Sequence, residues 1–197
     1  MKMKTRNFFF LLATLAIVAC QPEIDEFQAA PGTANFTKYV SIGNSLTAGY
    51  SDGALYHSAQ MNSYPSIMAA QFAKAGGGNF VQPVVASEYG VLPGKRVLGF
   101  ATDCKGVTSL APVAATGTPD GLTPVGYAVN NFGVPGAKSY HLLAGHYGDP
   151  AGLVTTPMTA NPYFVRFAST IETSVIEDVM AAQPTFFSLW IGNNDVL

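Results

Sequence analysis

The sequence predicts a mixed α/β fold built on a parallel sheet, and three observations carry that expectation. Residues 185–191 (TFFSLWI) form a nearly unbroken apolar run, which fits a strand covered on both faces, as in a parallel sheet. Strand-like segments alternate with stretches whose apolar residues recur every three to four positions. That order implies parallel strands joined by right-handed crossovers. A small polar cluster also follows each of three candidate strands.

Residues 38–42 read as the first strand, and Gly43-Asn44-Ser45-Leu46-Thr47-Ala48-Gly49 turns the chain. Ser63-Tyr64-Pro65 opens a helix, with serine as the cap and proline in the first turn. Tyr64, Ile67, Met68 and Phe72 then keep the helical period, and Gly76-Gly77-Gly78 ends it. Residues 79–124 are rich in Gly, Pro, Thr, Ala and Val. Short strands are expected near 81–87 and 95–100, followed by a loop. Residues 126–131 read as a strand closed by Phe132-Gly133-Val134-Pro135-Gly136. Asn161-Pro162 starts a second long helix, with Phe164, Phe167, Ala168, Ile171, Val175 and Val179 on one stripe to about residue 182. Pro184 stops it before the apolar run.

Composition narrows the function classes. Of the 197 residues, 48% are hydrophobic and 11% charged, against ~25% charged in ordinary domains. Disordered chains are rich in charge and poor in apolar residues, so that class is excluded. A formal charge of −2 leaves no general basic surface for nucleic acid.

The first residues read as an address. Lys2, Lys4 and Arg6 precede an apolar stretch, residues 8–18, that is shorter than the ~20 residues a membrane span requires. This is the pattern of a secretory signal. It ends in Ile17-Val18-Ala19-Cys20, similar to a bacterial lipobox, in which the cysteine is acylated after cleavage. An ordinary secretory leader with a chance cysteine is the alternative. Residues 1–19 are therefore expected as a lipoprotein signal peptide and 20–37 as a tether. A polar, acidic stretch after Cys20 suits a tether, and several acyl chains make anchoring stable. Gln21 after the cysteine favours the outer membrane of a bacterial envelope. With Cys20 acylated, Cys104 is the remaining thiol and is expected to be structural.

The chemistry is expected where the strands end. Gly43-Asn44-Ser45-Leu46, Asn131-Phe132-Gly133-Val134-Pro135-Gly136 and Gly192-Asn193-Asn194-Asp195 would all emerge at the carboxyl edge of a parallel sheet, where such folds bind ligands. Ser45 follows a tight turn and begins a helical turn, Gly136 presents an unobstructed N–H, and Asn194 supplies a neutral amide donor. A serine beside such donors is suited to acyl transfer: it attacks a carbonyl and they hold the oxyanion. Each cluster alone is also an ordinary turn.

Together the three segments resemble the SGNH/GDSL hydrolase (lipase and esterase) family, in particular its exported bacterial lipoproteins, which often carry Asn in the first block. The resemblance runs from about Tyr39 to the last residues. It implies a flavodoxin-like three-layer α/β sandwich, with residues 38–197 forming the N-terminal part of the domain. It implies Ser45 as nucleophile and Gly136 and Asn194 as oxyanion-hole donors, with the Ser45 N–H as a third. The substrate would be an ester of a small molecule, a lipid or an acylated carbohydrate. No metal or organic cofactor is implied.

Two departures stand out. Asn44 replaces the family's aspartate, and its Oδ1 still accepts a turn hydrogen bond. The family's Asp-x-x-His block, which supplies base and acid, has no counterpart. The residues three after Asp25, Asp52, Asp103, Asp120, Asp149 and Asp178 are Gln28, Leu55, Gly106, Thr123, Gly152 and Ala181. The resemblance therefore places base and acid beyond Leu197. It also makes residues 185–191 a central strand with later strands beside it, so these 197 residues alone are expected to be nearly inactive and poorly stable. His57, His141 and His146 are the available substitutes for the base. His141 and His146 lack a third partner for a metal site. Phosphate-loop, GxGxxG, GxSxG and CxxC patterns are absent. A non-catalytic envelope lipoprotein that binds a glycan or acyl ligand is the alternative function.

Overall fold

The computed structural model describes residue 26, residues 28–91 and residues 93–196. Cys20, the lipobox and, within the tether, residues 20–25 and 27 lie outside the described residues. The protein is mixed α/β, with a parallel three-stranded sheet and a separate antiparallel pair. In the parallel sheet β1 (Tyr39–Gly43) is central, flanked by β4 (Asn131–Gly133) and β5 (Phe186–Trp190). The antiparallel pair is β2 (Arg96–Thr102) with β3 (Thr108–Ala114). Helices α1 (Ser45–Ala48), α2 (His57–Met61), α3 (Tyr64–Lys74), α4 (Val175–Ala181) and α5 (Asn193–Val196) complete the elements used below.

The sheet has two unlike faces because alternate side chains of a strand point to opposite sides. Val40, Ile42 and Phe132 point to one face, where they pack with Val134, Phe164, Val175 and Val179 in the main core. Helix α4 covers this face. Tyr39, Ser41 and Asn131 take the other face, beneath α3. There Tyr39 meets Phe72, Phe80 and Phe186, and burial pushes its phenol pKa up to about 12. Phe36, assigned to the tether on sequence grounds, stacks on Phe72 at 4.2 Å, so the folded unit begins before residue 38.

Helix α3 follows its sequence signals. Ser63 Oγ accepts from the Ser66 N–H, Pro65 sits in the first turn, and the Gly77 N–H caps the Phe72 carbonyl. Ile67, expected on the buried stripe, is exposed.

Four expectations need correction. No strand forms at 81–87, because side chains take up its backbone groups. Gln60 Oε1 accepts from Val85 N, Asp120 accepts from Ala86 N and Ser87 N, and the Arg166 guanidinium donates to the Pro83 and Val84 carbonyls. The strand expected at 126–131 starts only at Asn131, because Asn130 N and Asn131 N are both drawn to the Val81 carbonyl. The loop expected after residue 100 contains β3, whose Pro112 is tolerated because each strand of a two-stranded ribbon is an edge.

The helix expected over 161–182 is broken. Asn161 does cap, accepting from Tyr163 N and Phe164 N, but only a 3₁₀ turn follows at Phe164–Arg166. The Asp178 carboxylate then captures Ser169 and Thr173, and Ser174 and Glu177 start α4 with a reciprocal capping box. Strand β5 pairs with β1 on one side only among the described residues, the open edge expected of these 197 residues alone. Phe187, Leu189 and Trp190 are 59%, 53% and 51% exposed.

Candidate functional site

The three polar clusters emerge from neighbouring parallel strands at one sheet edge, as the strand order requires. Ser45 follows β1 at the centre, Gly136 follows β4 on one side, and Asn194 follows β5 on the other.

The first turn depends on two missing side chains. A Cβ at Gly43 would lie 2.2 Å from both Thr47 Oγ1 and the Trp190 carbonyl oxygen, and one at Gly133 would lie 2.2 Å from Ala48 N. Glycine at both positions lets α1 sit directly on the ends of β1, β4 and β5. Asn44 is fully buried and caps α1, accepting from Leu46 N through Oδ1 at 3.2 Å. Ser45 is partly exposed, and its hydroxyl has no hydrogen-bond partner among the described residues.

Each pair of clusters is hydrogen-bonded. The Val134 N–H donates to the Gly43 carbonyl at 2.9 Å, joining first and second. Asn44 N donates to the Trp190 carbonyl, and Asn44 Nδ2 donates to Asn193 Oδ1, joining first and third. Asn194 Nδ2 donates to the Ala137 carbonyl at 2.8 Å, and the Asp195 carboxylate accepts from both N and Oγ of Ser139, joining second and third. The Ser139 bonds hold the Asp195 pKa below the usual carboxylate range. Asn194 keeps one amide hydrogen free of the Ala137 bond. Gly136 is exposed at φ +80°, its added Cβ would meet nothing within 4 Å, and its N–H donates to no described residue.

Sequence reasoning gave Asn193 no role. The Asn44–Asn193 amide pair uses a donor that an aspartate at position 44 would lack.

The histidines are distributed elsewhere. His141 Nδ1 accepts from the Lys138 N–H at 3.0 Å, so in the neutral ring the proton sits on Nε2, which then has no basic lone pair. Burial, helped by the Lys138 charge and opposed by Asp195, lowers its pKa. His57 donates from Nδ1 to the Val85 carbonyl, and its backbone N–H donates to the Ser87 carbonyl. His146 is exposed, 3.9 Å from Asp149. None of the three bonds to Ser45. Cys104, expected to be structural, is instead an exposed free thiol in the β2–β3 turn. No cluster of three metal-ligating side chains occurs among the described residues.

Fold and site together define a mixed α/β protein whose carboxyl-edge loops, one of them bearing a free serine hydroxyl, are locked to one another. No family model, curated protein or solved structure matches this chain.

Proposed function

We propose that the chain is part of an SGNH/GDSL-type serine hydrolase with a flavodoxin-like three-layer sandwich, cleaving a carboxylic ester through a Ser45 acyl-enzyme. The observation that supports this reading best is the mutual hydrogen bonding of the three loops, of which one carries a free hydroxyl, one an unspent backbone N–H and one an unspent amide hydrogen. In the reaction, Ser45 Oγ bonds to the ester carbon and its proton passes to a general base. The carbonyl oxygen takes up negative charge against Gly136 N–H, Ser45 N–H and Asn194 Nδ2. The carbon–oxygen bond to the alcohol then breaks with proton return, and water releases the acid in a second round. The base comes from outside the described residues, since none of the described histidines bonds to Ser45.

The test uses the coding sequence extended past Leu197. A fluorophosphonate probe should label Ser45, and Ser45→Ala should abolish both labelling and turnover. Asn194→Ala should lower kcat by about 10²–10³-fold with a smaller change in KM, as for a donor acting in the transition state. Labelling of another serine defeats the assignment. The free Ser45 hydroxyl also leaves room for a second reading, a non-catalytic envelope lipoprotein that binds a glycan or acyl ligand. Binding without any labelling would select it.

We further propose cleavage before Cys20 and acylation of that residue, with the residues between Cys20 and Phe36 as tether and the outer membrane as destination. No helix among the described residues is long and apolar enough to cross a membrane. Labelled palmitate should enter the wild-type protein and not Cys20→Ser. A soluble periplasmic protein without label contradicts this proposal.

A further inference from the structure

A cleft of about 500 Å³ opens beside the Ser45 turn, bounded by Leu46, Tyr50, Tyr56, Ser58, Tyr64 and Trp190 and reaching Asn62. That volume falls in the ~300–1,000 Å³ range of small-ligand sites. Leu46 is the residue after Ser45, and the Trp190 carbonyl holds Asn44, so the cleft adjoins the nucleophile directly. The Trp190 ring is half exposed and inclined at 42° to Tyr64, with centroids 5.4 Å apart.

Three hydroxyls of this wall are spent in one sense only. Tyr50 donates its hydroxyl hydrogen to the Gly53 carbonyl, Tyr56 to Asp52, and Ser58 to Glu88. A hydroxyl carries one hydrogen, so these three keep only lone pairs for a ligand. The Asn62 amide nitrogen donates one hydrogen to the Ser58 carbonyl and keeps a second, and its Oδ1 is left to accept. No charged side chain lines the cleft. Behind the hydroxyls stand the carboxylates of Asp52 and Glu88, while Lys95 is held 3.6 Å from Glu88 and over the Tyr56 ring. A wall on which three hydroxyls only accept, backed by carboxylates and lined by no charged side chain, disfavours carboxylate and phosphate ligands. It suits a ligand rich in hydroxyl donors with an apolar face to lay on an aromatic ring.

We propose that this cleft binds a neutral sugar, the alcohol half of the ester, with the ring against Trp190 and Tyr64 and its hydroxyls donating to Tyr50, Tyr56, Ser58 and Asn62. This rests on the reading of Ser45 as nucleophile only for the word ester; the binding claim stands apart from it. The groove across β5 has different chemistry, being lined by Ile42, Ile176, Val179, Met180, Phe187 and Leu189, so an acyl chain would favour that side.

Trp190 is the one tryptophan among the 197 residues, and a Trp190→Phe variant of the extended protein identifies the part of the emission that reports on this cleft. The extended protein is titrated with glucose, galactose, xylose, N-acetylglucosamine and their β-1,4-linked dimers, with glucuronate and decanoate as contrasts. At least one neutral sugar should change the emission saturably, and neither contrast should. Ser45→Ala should bind equally well. Tyr64→Ala should weaken binding about tenfold, and Asn62→Ala, at an exposed position that does not threaten folding, about fivefold, on the order of one lost neutral hydrogen bond. Absence of saturation with every neutral sugar, or saturation by decanoate or glucuronate that Asn62→Ala and Tyr64→Ala weaken, overturns the proposal. Fluorophosphonate labelling is scored in parallel. Labelling without sugar binding removes the sugar site and keeps the nucleophile; sugar binding without labelling does the reverse.

Discussion

The two faces of the parallel sheet share three strands and little else. On the α4 face, Val40, Ile42 and Phe132 meet Phe164, Val175 and Val179 in one contiguous apolar cluster. On the α3 face, the same strands present Ser41 and Asn131, joined by buried Thr47, Gln60 and Gln82. Asn131 Nδ2 donates to the Thr47 carbonyl and to Gln82 Oε1, while Gln82 Nε2 donates to the Gln60 carbonyl. An apolar face is stabilised by area and tolerates shape changes of similar volume. A buried polar face is held by direction, because each unmade bond there costs more than a made one contributes. The turn bearing Ser45 is attached to the directional face, as expected where the position of one hydroxyl matters.

Substitutions can separate these two modes of support. Phe164→Ala on the apolar face removes a fully buried ring and should cost about 3–5 kcal/mol in denaturant unfolding. Fluorophosphonate labelling of the fraction that remains folded should be unchanged. Asn131→Ala strands the Thr47 carbonyl and the Gly133 N–H that Asn131 Oδ1 now accepts. It should cost about 3 kcal/mol, from two unsatisfied groups at ~1–3 kcal/mol each, and should also slow labelling of Ser45. Equal labelling rates in both variants would erase the distinction between the faces.

Gly133→Ala sharpens the comparison at a single atom. The new Cβ has only backbone to displace, at Thr47 and Ala48. Overpacking of this kind costs about 1–3 kcal/mol, and the movement falls on α1. Turnover should drop more than stability does, measured as kcat against unfolding midpoint.

The smallest effect is the pH dependence of His141. Its folded pKa is lowered by burial, so the unfolded chain binds its proton more readily. Stability should therefore fall as pH drops through the ordinary histidine range toward the folded pKa, and then level off for this group. Protonation also forfeits the lone pair that holds Lys138 N. His141→Gln should flatten that part of the stability-against-pH curve. Asp195 acts in a separate acid window: its lowered pKa gives a contribution present above the ordinary aspartate value and lost as pH falls through the folded one. An unchanged curve in His141→Gln means the group is not shifted.

Much of the site was legible because its signals are local. Gly43-Asn44-Ser45 needs only a tight turn and an N-cap, both settled within four residues. Ser63-Tyr64-Pro65 likewise announces α3. The Ser-x-x-Glu box at Ser174 and Glu177 was equally local and would have divided the helix expected over 161–182. The apolar stripe across it masked that signal, since Phe164, Val175 and Val179 do reach one core without sharing one helix.

By itself, then, the sequence determined where the chain turns, which residues cap its helices, and that three polar clusters follow apolar strands; these depend on neighbours a few positions apart. Tertiary structure decided the rest. Residues 81–87 are strand-like in composition, yet Gln60, Asp120 and Arg166 from distant segments satisfy their backbone and no ladder forms. The β5 run is apolar enough for burial on both faces, yet its place at the side of β1 leaves Trp190 half exposed beside Tyr64. A backbone group accepts any partner of the right polarity, and an apolar side chain any apolar surface. Composition sets what each segment needs, and only the assembled chain settles which of several distant residues meets that need.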